Sequence, residues 1–161
     1  MLKELYTKIK LDNFKGGTYI AVNPTQETKL KLQQYIDNNL VGIDCYEMDK
    51  LHCTIIYSKK PLENSVDISS EKHNGLFKHF NIFGEENECL VCEFESKTLQ
   101  ARNKELVNIH SFISDFPEYK THITLSVCAQ NIDYSILPPL NFDLEFENEY
   151  IEPLNLDWKN N

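Results

Sequence analysis

The sequence predicts an α+β fold of two similar lobes, made mostly of antiparallel strands with two main helices and a central cleft. Three observations predict it. The order strand–helix–strand runs over 17–58 and again over 88–129. The closing strand of each unit carries one motif, "LHCTIIYS" at 51–58 and "THITLSV" at 121–127, in which a histidine is followed two places on by a threonine. Identity between the units is otherwise slight, so the repeat lies in pattern and motif. Finally, nothing reads as an interdomain linker, and 161 residues, 41% of them hydrophobic, suit a single domain over 1–161.

The elements follow in order. "GTYIAVN" (17–23) is a strand with Thr18, Ile20 and Val22 on one face and Tyr19 and Ala21 on the other. Thr25 can cap a helix whose apolar face is Leu32, Tyr35, Ile36 and Leu40, ending around Asn38, Asn39 and Gly42. The first His–Thr strand comes next. The polar stretch 61–88 reads as loops with one or two short strands. "ECLVCEFES" (88–96) reads as a strand alternating Leu90, Cys92 and Phe94 against charged neighbours, and Ser96 caps a second helix with Leu99, Leu106 and Ile113 at heptad-like spacing and Ile109 beside them. The second His–Thr strand follows. A last strand, 142–158, alternates Phe142, Leu144 and Phe146 with acidic residues.

Composition narrows the function. A net charge of −9 and a single arginine, Arg102, exclude a binder of long nucleic acid, whose affinity comes from cations on phosphates. A small anion in a pocket remains compatible, because local field and net charge differ. No apolar run reaches the length of a membrane span and the first fifteen residues hold no signal-peptide core, so a cytoplasmic protein without a membrane partner is expected. The five cysteines suit reduced, mostly buried thiols. Cys89 and Cys92 are a lone C-x-x-C with no second pair at zinc-ribbon spacing, so neither metal nor cofactor is expected.

The chemistry lies in the paired strands. Strict alternation puts His52, Thr54 and Ile56 on one face, and His122, Thr124 and Ser126 likewise. Facing lobes would bring two imidazoles and two hydroxyls to one cleft. One neutral histidine can take a proton from an attacking hydroxyl while the other, protonated, gives one to a leaving oxygen. The hydroxyls can donate to phosphate oxygens as charge shifts. That set suits phosphodiester cleavage without a metal. His73, His79 and His110 lack such a partner and read as solvated.

His52, Thr54, His122 and Thr124 match the two H-x-T/S motifs of the 2H phosphoesterase superfamily, which the chain resembles from about Gly17 to Trp158. "GTYIAV", "LHCTIIYS", "ES" with "LQAR" and "DFPEYKTHITLS" resemble the phage anti-CBASS phosphodiesterases. That resemblance implies a bilobal, pseudo-two-fold fold and metal-free cutting of 3′,5′ linkages in cyclic di- and trinucleotide messengers. The 2′-hydroxyl would attack the neighbouring phosphate, giving linear products. It also implies substrate contacts by Tyr19, Glu152 and Trp158, with the two aromatics offering π-faces to bases. The small cyclic oligonucleotide would be the partner of a monomer. Two departures stand out: Thr121 precedes the second histidine where relatives often have proline, and one arginine leaves no basic phosphate clamp. Rival readings are a phosphodiesterase of RNA ends or 2′,5′-oligoadenylate, and a nucleotide sponge. A sponge has no need of a paired acid and base.

Overall fold

The computed structural model describes residues 11–84, 86 and 88–156. Six strands form one antiparallel sheet: β1 (Thr18–Pro24), β2 (Cys53–Ser58), β3 (His73–Phe83), β4 (Cys89–Glu95), β5 (His122–Ser126) and β6 (Leu144–Pro153). Their order, β2-β1-β6-β3-β4-β5, reads as two mirrored triplets, with each His–Thr strand at an outer edge. Strand β6 therefore completes the first triplet, beside β1, although it is the last element among the described residues. Between them come helices α1 (Gln26–Asn39) and α2 (Lys97–His110).

Both helices start where capping chemistry places them. The Thr25 hydroxyl accepts from the Thr28 amide and the Ser96 hydroxyl from the Leu99 amide, each satisfying one orphan donor of the first turn. Helix α1 buries Leu32, Tyr35 and Ile36, as its spacing requires. Helix α2 departs from expectation. It buries Leu99, Arg102 and Leu106, then stops as Ser111 turns into the left-handed region at φ 54°. Ile109, in the last turn, and Ile113, beyond the helix end, are both exposed instead of continuing an apolar face.

The middle stretch also differs from the loops with short strands that its polarity suggested. It contains β3, eleven residues long. Its N-terminal end, His73–Gly75, pairs with β6, and the remainder pairs with β4. A register shift between Phe77 and His79 flips the phase of the side chains, so no period-2 pattern survives in the sequence. At the changeover Phe94 of β4 stacks on Phe146 of β6, with ring centroids 5.1 Å apart. A Cβ on Gly75 would lie 2.4 Å from the Phe94 ring, so glycine alone lets β3 pass beneath it.

A buried ion pair ties α2 to β6. Arg102 of α2 donates from Nε and Nη2 to Glu149 of β6, both at 2.8 Å, and from Nη2 to the Asp67 carbonyl at 2.7 Å. Ser69 adds its amide to the same carboxylate. The chain's one guanidinium is thus held by the scaffold and is no phosphate clamp. Replacing it by methionine is expected to cost about 3–5 kcal/mol, because Glu149 would keep a buried charge without its counter-ion. Urea unfolding followed by circular dichroism measures this, and a loss under about 1 kcal/mol would contradict the account. No helix among the described residues is long and apolar enough to cross a membrane.

Candidate active site

The two edge strands β2 and β5 come into contact, so the sheet's outer edges meet around a cleft. The His122 amide bonds to the Cys53 sulfur, which sets one motif directly against the other. Tyr119 strengthens the junction: its hydroxyl donates to the Thr54 carbonyl at 2.8 Å. The Tyr46 amide bonds to the Leu125 carbonyl and the Ser126 hydroxyl to the Asp44 carbonyl.

Each motif carries a β-bulge immediately after its threonine. Ala21 pairs with Thr54 and Ile20 with Ile56, leaving Ile55 as the extra residue. Val91 pairs with Thr124 and Leu90 with Ser126, leaving Leu125 extra. The bulges correct the strict alternation of the sequence reading. Ile56 and Ser126 turn into buried positions, away from the half-exposed face of His52, Thr54, His122 and Thr124. In the first triplet the bulge also brings Tyr57 opposite Tyr19, on the face that carries Thr54.

The two histidines are held alike. His52 Nδ1 lies 2.8 Å from the Lys50 carbonyl, and His122 Nδ1 lies 2.8 Å from the Lys120 carbonyl. A carbonyl only accepts, so each Nδ1 carries the proton. Each neutral ring therefore keeps a bare Nε2 for proton transfer. Each ring also has an aromatic neighbour at its edge, Tyr19 beside His52 at 6.0 Å between centroids and Phe83 beside His122 at 5.0 Å. Burial pushes the His122 imidazole below the ordinary histidine range; the Lys120 carbonyl and the Glu93 charge offset this only in part, and His52 adds to it. The influence of His52 on His122 places the two rings in one electrostatic site.

The threonines are not equivalent. Thr54 Oγ1 is hydrogen-bonded to the Tyr19 hydroxyl at 2.7 Å, whereas Thr124 has no such side-chain partner among the described residues. Burial raises the Tyr19 phenol far above its usual range, so it stays neutral. Tyr19 pairs across the sheet with Glu152, which is exposed, and Ala21 pairs with Tyr150. The fold thus brings Tyr19, Glu152, His52 and Thr54 to one face, while Trp158 lies outside the described residues.

Two of the other histidines, His73 and His110, correct the expectation that they are solvated, whereas His79 is exposed. His73 is buried, with Nδ1 2.8 Å from the Thr98 hydroxyl. His110 is half-buried and stacks on Phe112. His79 is exposed on one side, yet its Nε2 donates to the buried Glu93 carboxylate at 2.5 Å. Tyr119, Glu93, Asn81 and Phe83 all border the site and were missed, because each owes its place to strand register and has no local signature. Thr121, just before the second motif's histidine, ties the start of β5 to β4. Its amide carbonyl accepts from Phe94 and its hydroxyl donates back to the Phe94 carbonyl.

Residues 16–161 match the sequence family described as anti-CBASS protein Acb1. The chain belongs to that family. It is 27% identical over 157 residues to the anti-CBASS protein Acb1 of Vibrio phage KVP40, covering 93% of this chain and 97% of that protein. It is 26% identical over 155 residues to the anti-CBASS protein Acb1 of Enterobacteria phage T4, covering 93% and 96%. The architecture is that of 2H phosphoesterases. Escherichia coli LigT complexed with phosphate superposes with a TM-score of 0.57 at 12% identity, over 83% of this chain and 84% of that one. Another phosphoesterase crystal structure gives a TM-score of 0.58 at 11% identity, over 83% and 85%. The chain is thus a member of the anti-CBASS protein Acb1 family with a LigT-like fold.

Proposed function

We propose that this Acb1 family member is a metal-independent phosphodiesterase that opens 3′,5′ linkages of cyclic di- and trinucleotide immune messengers. The observation that carries the reading is the matched pair of histidines. Both are fixed through Nδ1 by the carbonyl two residues earlier, so both leave Nε2 free to take or give a proton. Neither a sponge nor a simple binding module requires that arrangement.

The roles follow from the surroundings. Burial keeps His122 neutral, which suits the general base. Its Nε2 takes the proton of a ribose 2′-hydroxyl, and that oxygen attacks the adjacent phosphorus. The 5′-oxygen leaves with a proton from His52, giving a linear product that ends in a 2′,3′-cyclic phosphate. Water then opens this ring with the two roles exchanged. Thr124 and Thr54 donate to the non-bridging oxygens as they gain charge. Tyr19 fixes Thr54 and, with Glu152, lines the base-contacting side of the site, and Trp158 is proposed to stack on a base. In a chain of net charge −9 whose arginine is occupied, grip on the ligand comes from stacking and hydrogen bonds more than from cations.

The test is incubation with cyclic dinucleotides and cyclic trinucleotides in the presence of EDTA, with products resolved by chromatography. Linear products at an undiminished rate are expected. Strict dependence on added Mg²⁺ or Mn²⁺ would overturn the metal-free mechanism, and tight binding without products would mean a sponge. Cleavage confined to RNA 2′,3′-cyclic ends or 2′,5′ linkages would mean the other phosphodiesterase class.

A further inference from the structure

The two halves of the cleft match in their histidines and differ in what lies beside them. In the second half a row of polar side chains crosses three strands: His79 of β3 pairs with Glu93 of β4, and Glu93 pairs with His122 of β5. Cross-strand partners project from the same face with Cβ atoms about 5 Å apart, so the Glu93 carboxylate sits beside the His122 ring. Continuing the β1–β2 register puts Asn23 opposite His52, so the first half has an amide where the second has a charge.

Glu93 is 6% exposed, and a carboxylate so buried must be hydrogen-bonded or it becomes costly. His79 Nε2 donates to Oε2 at 2.5 Å and Asn81 Nδ2 donates to the same oxygen at 2.9 Å. Burial alone would raise the Glu93 carboxyl. The bonds from Asn81 and His79, with the charges of His79 and Lys120, outweigh it and hold the group ionised below the usual carboxylate range. His122 needs none of these bonds for its own orientation, because the Lys120 carbonyl already holds Nδ1. The carboxylate therefore acts on His122 through its charge. Such a charge matters most when the ring gains a proton, the moment at which a general base completes its task.

We propose that Glu93, anchored by His79 and Asn81, is a positioning residue that stabilises the imidazolium formed when His122 accepts the substrate proton. The proposal rests on the reading of His122 as the base. It makes the cleft asymmetric: the half with the carboxylate takes the proton, and the half with Asn23 gives one. The charged or titratable groups facing His122 are Glu93 from β4, His52 and Cys53 from β2, and Lys120 from its own segment, with His79 behind Glu93 on β3.

The test is titration of the His122 ring by NMR in the free protein, for the wild type, Glu93→Gln and His79→Ala. Glu93→Gln keeps the shape and still accepts from Asn81 and His79, but removes the charge. The His122 midpoint should fall by about one pH unit, and kcat on a cyclic dinucleotide by about tenfold at unchanged KM. His79→Ala, at a partly exposed site, frees the carboxylate from its donor and should move the midpoint upward. Opposite directions are the signature. A purely structural cluster would admit water to His122 in both variants and raise both midpoints. An unmoved or raised midpoint in Glu93→Gln overturns the proposal. If Glu93→Gln does not fold, an unmoved midpoint in His79→Ala overturns it instead. The midpoints are read without substrate, so this outcome is separate from whether any cyclic nucleotide is cut.

Discussion

His52→Ala and His122→Ala are each expected to lower kcat on a cyclic dinucleotide by about a thousandfold or more, with KM nearly unchanged. A positioned acid or base contributes ~10²–10⁴, and here the two proton transfers belong to one displacement. Once either is missing the other has nothing to couple to, so the double variant should be no more than about tenfold slower than the worse single one. Both rings are half-exposed, so alanine leaves no sealed cavity, and an unchanged circular dichroism spectrum would show the fold intact. The wild-type pH profile gives an independent reading. As pH falls, kcat/KM is lost where His122 becomes protonated and can no longer act as base. Because burial holds His122 low, that limb should lie below the ordinary histidine range. A single variant that kept a tenth of the wild-type rate would sink the paired mechanism.

What was legible in the sequence was local. Thr25 and Ser96 announce their helices because capping acts over three residues. The apolar face of α1 and the four motif residues follow from the 3.6 and 2 periods. What stayed hidden depends on register. The bulges at Ile55 and Leu125 fall inside apolar runs that read as regular strand, so nothing local marks the phase change after each threonine. The shift near Lys78 conceals β3 in the same way. Helix α2 ends at Ser111 without glycine, and an apolar heptad seemed to run past it. His79 and Glu93 lie fourteen residues apart in the chain and become partners only through the β3–β4 ladder. Tyr19 was legible as a strand aromatic, but its bond to Thr54 needs the folded β1–β2 pair.

A cyclic dinucleotide with a single 2′-deoxyribose offers the sharpest test of the nucleophile. The intact linkage, next to the remaining 2′-hydroxyl, should be cut at near the normal rate. The linkage next to the deoxyribose should react more than about ten-thousandfold more slowly, since a well-oriented internal nucleophile is equivalent to ~10⁵–10⁸ M. Binding should weaken no more than about tenfold, because stacking on aromatic side chains does not involve that hydroxyl. Chromatography of the products reports which bond broke, and calorimetry with the fully deoxy ligand reports affinity without turnover. The design isolates the attacking atom from the histidines. A deprotonated water in the cleft would use the same base and the same acid, so histidine variants alone cannot tell the two apart. Equal cleavage of both linkages would identify water as the nucleophile, with His122 then drawing its proton from solvent. Selective cleavage would place the 2′-oxygen within reach of the His122 Nε2, the one ring nitrogen that the Lys120 carbonyl leaves free.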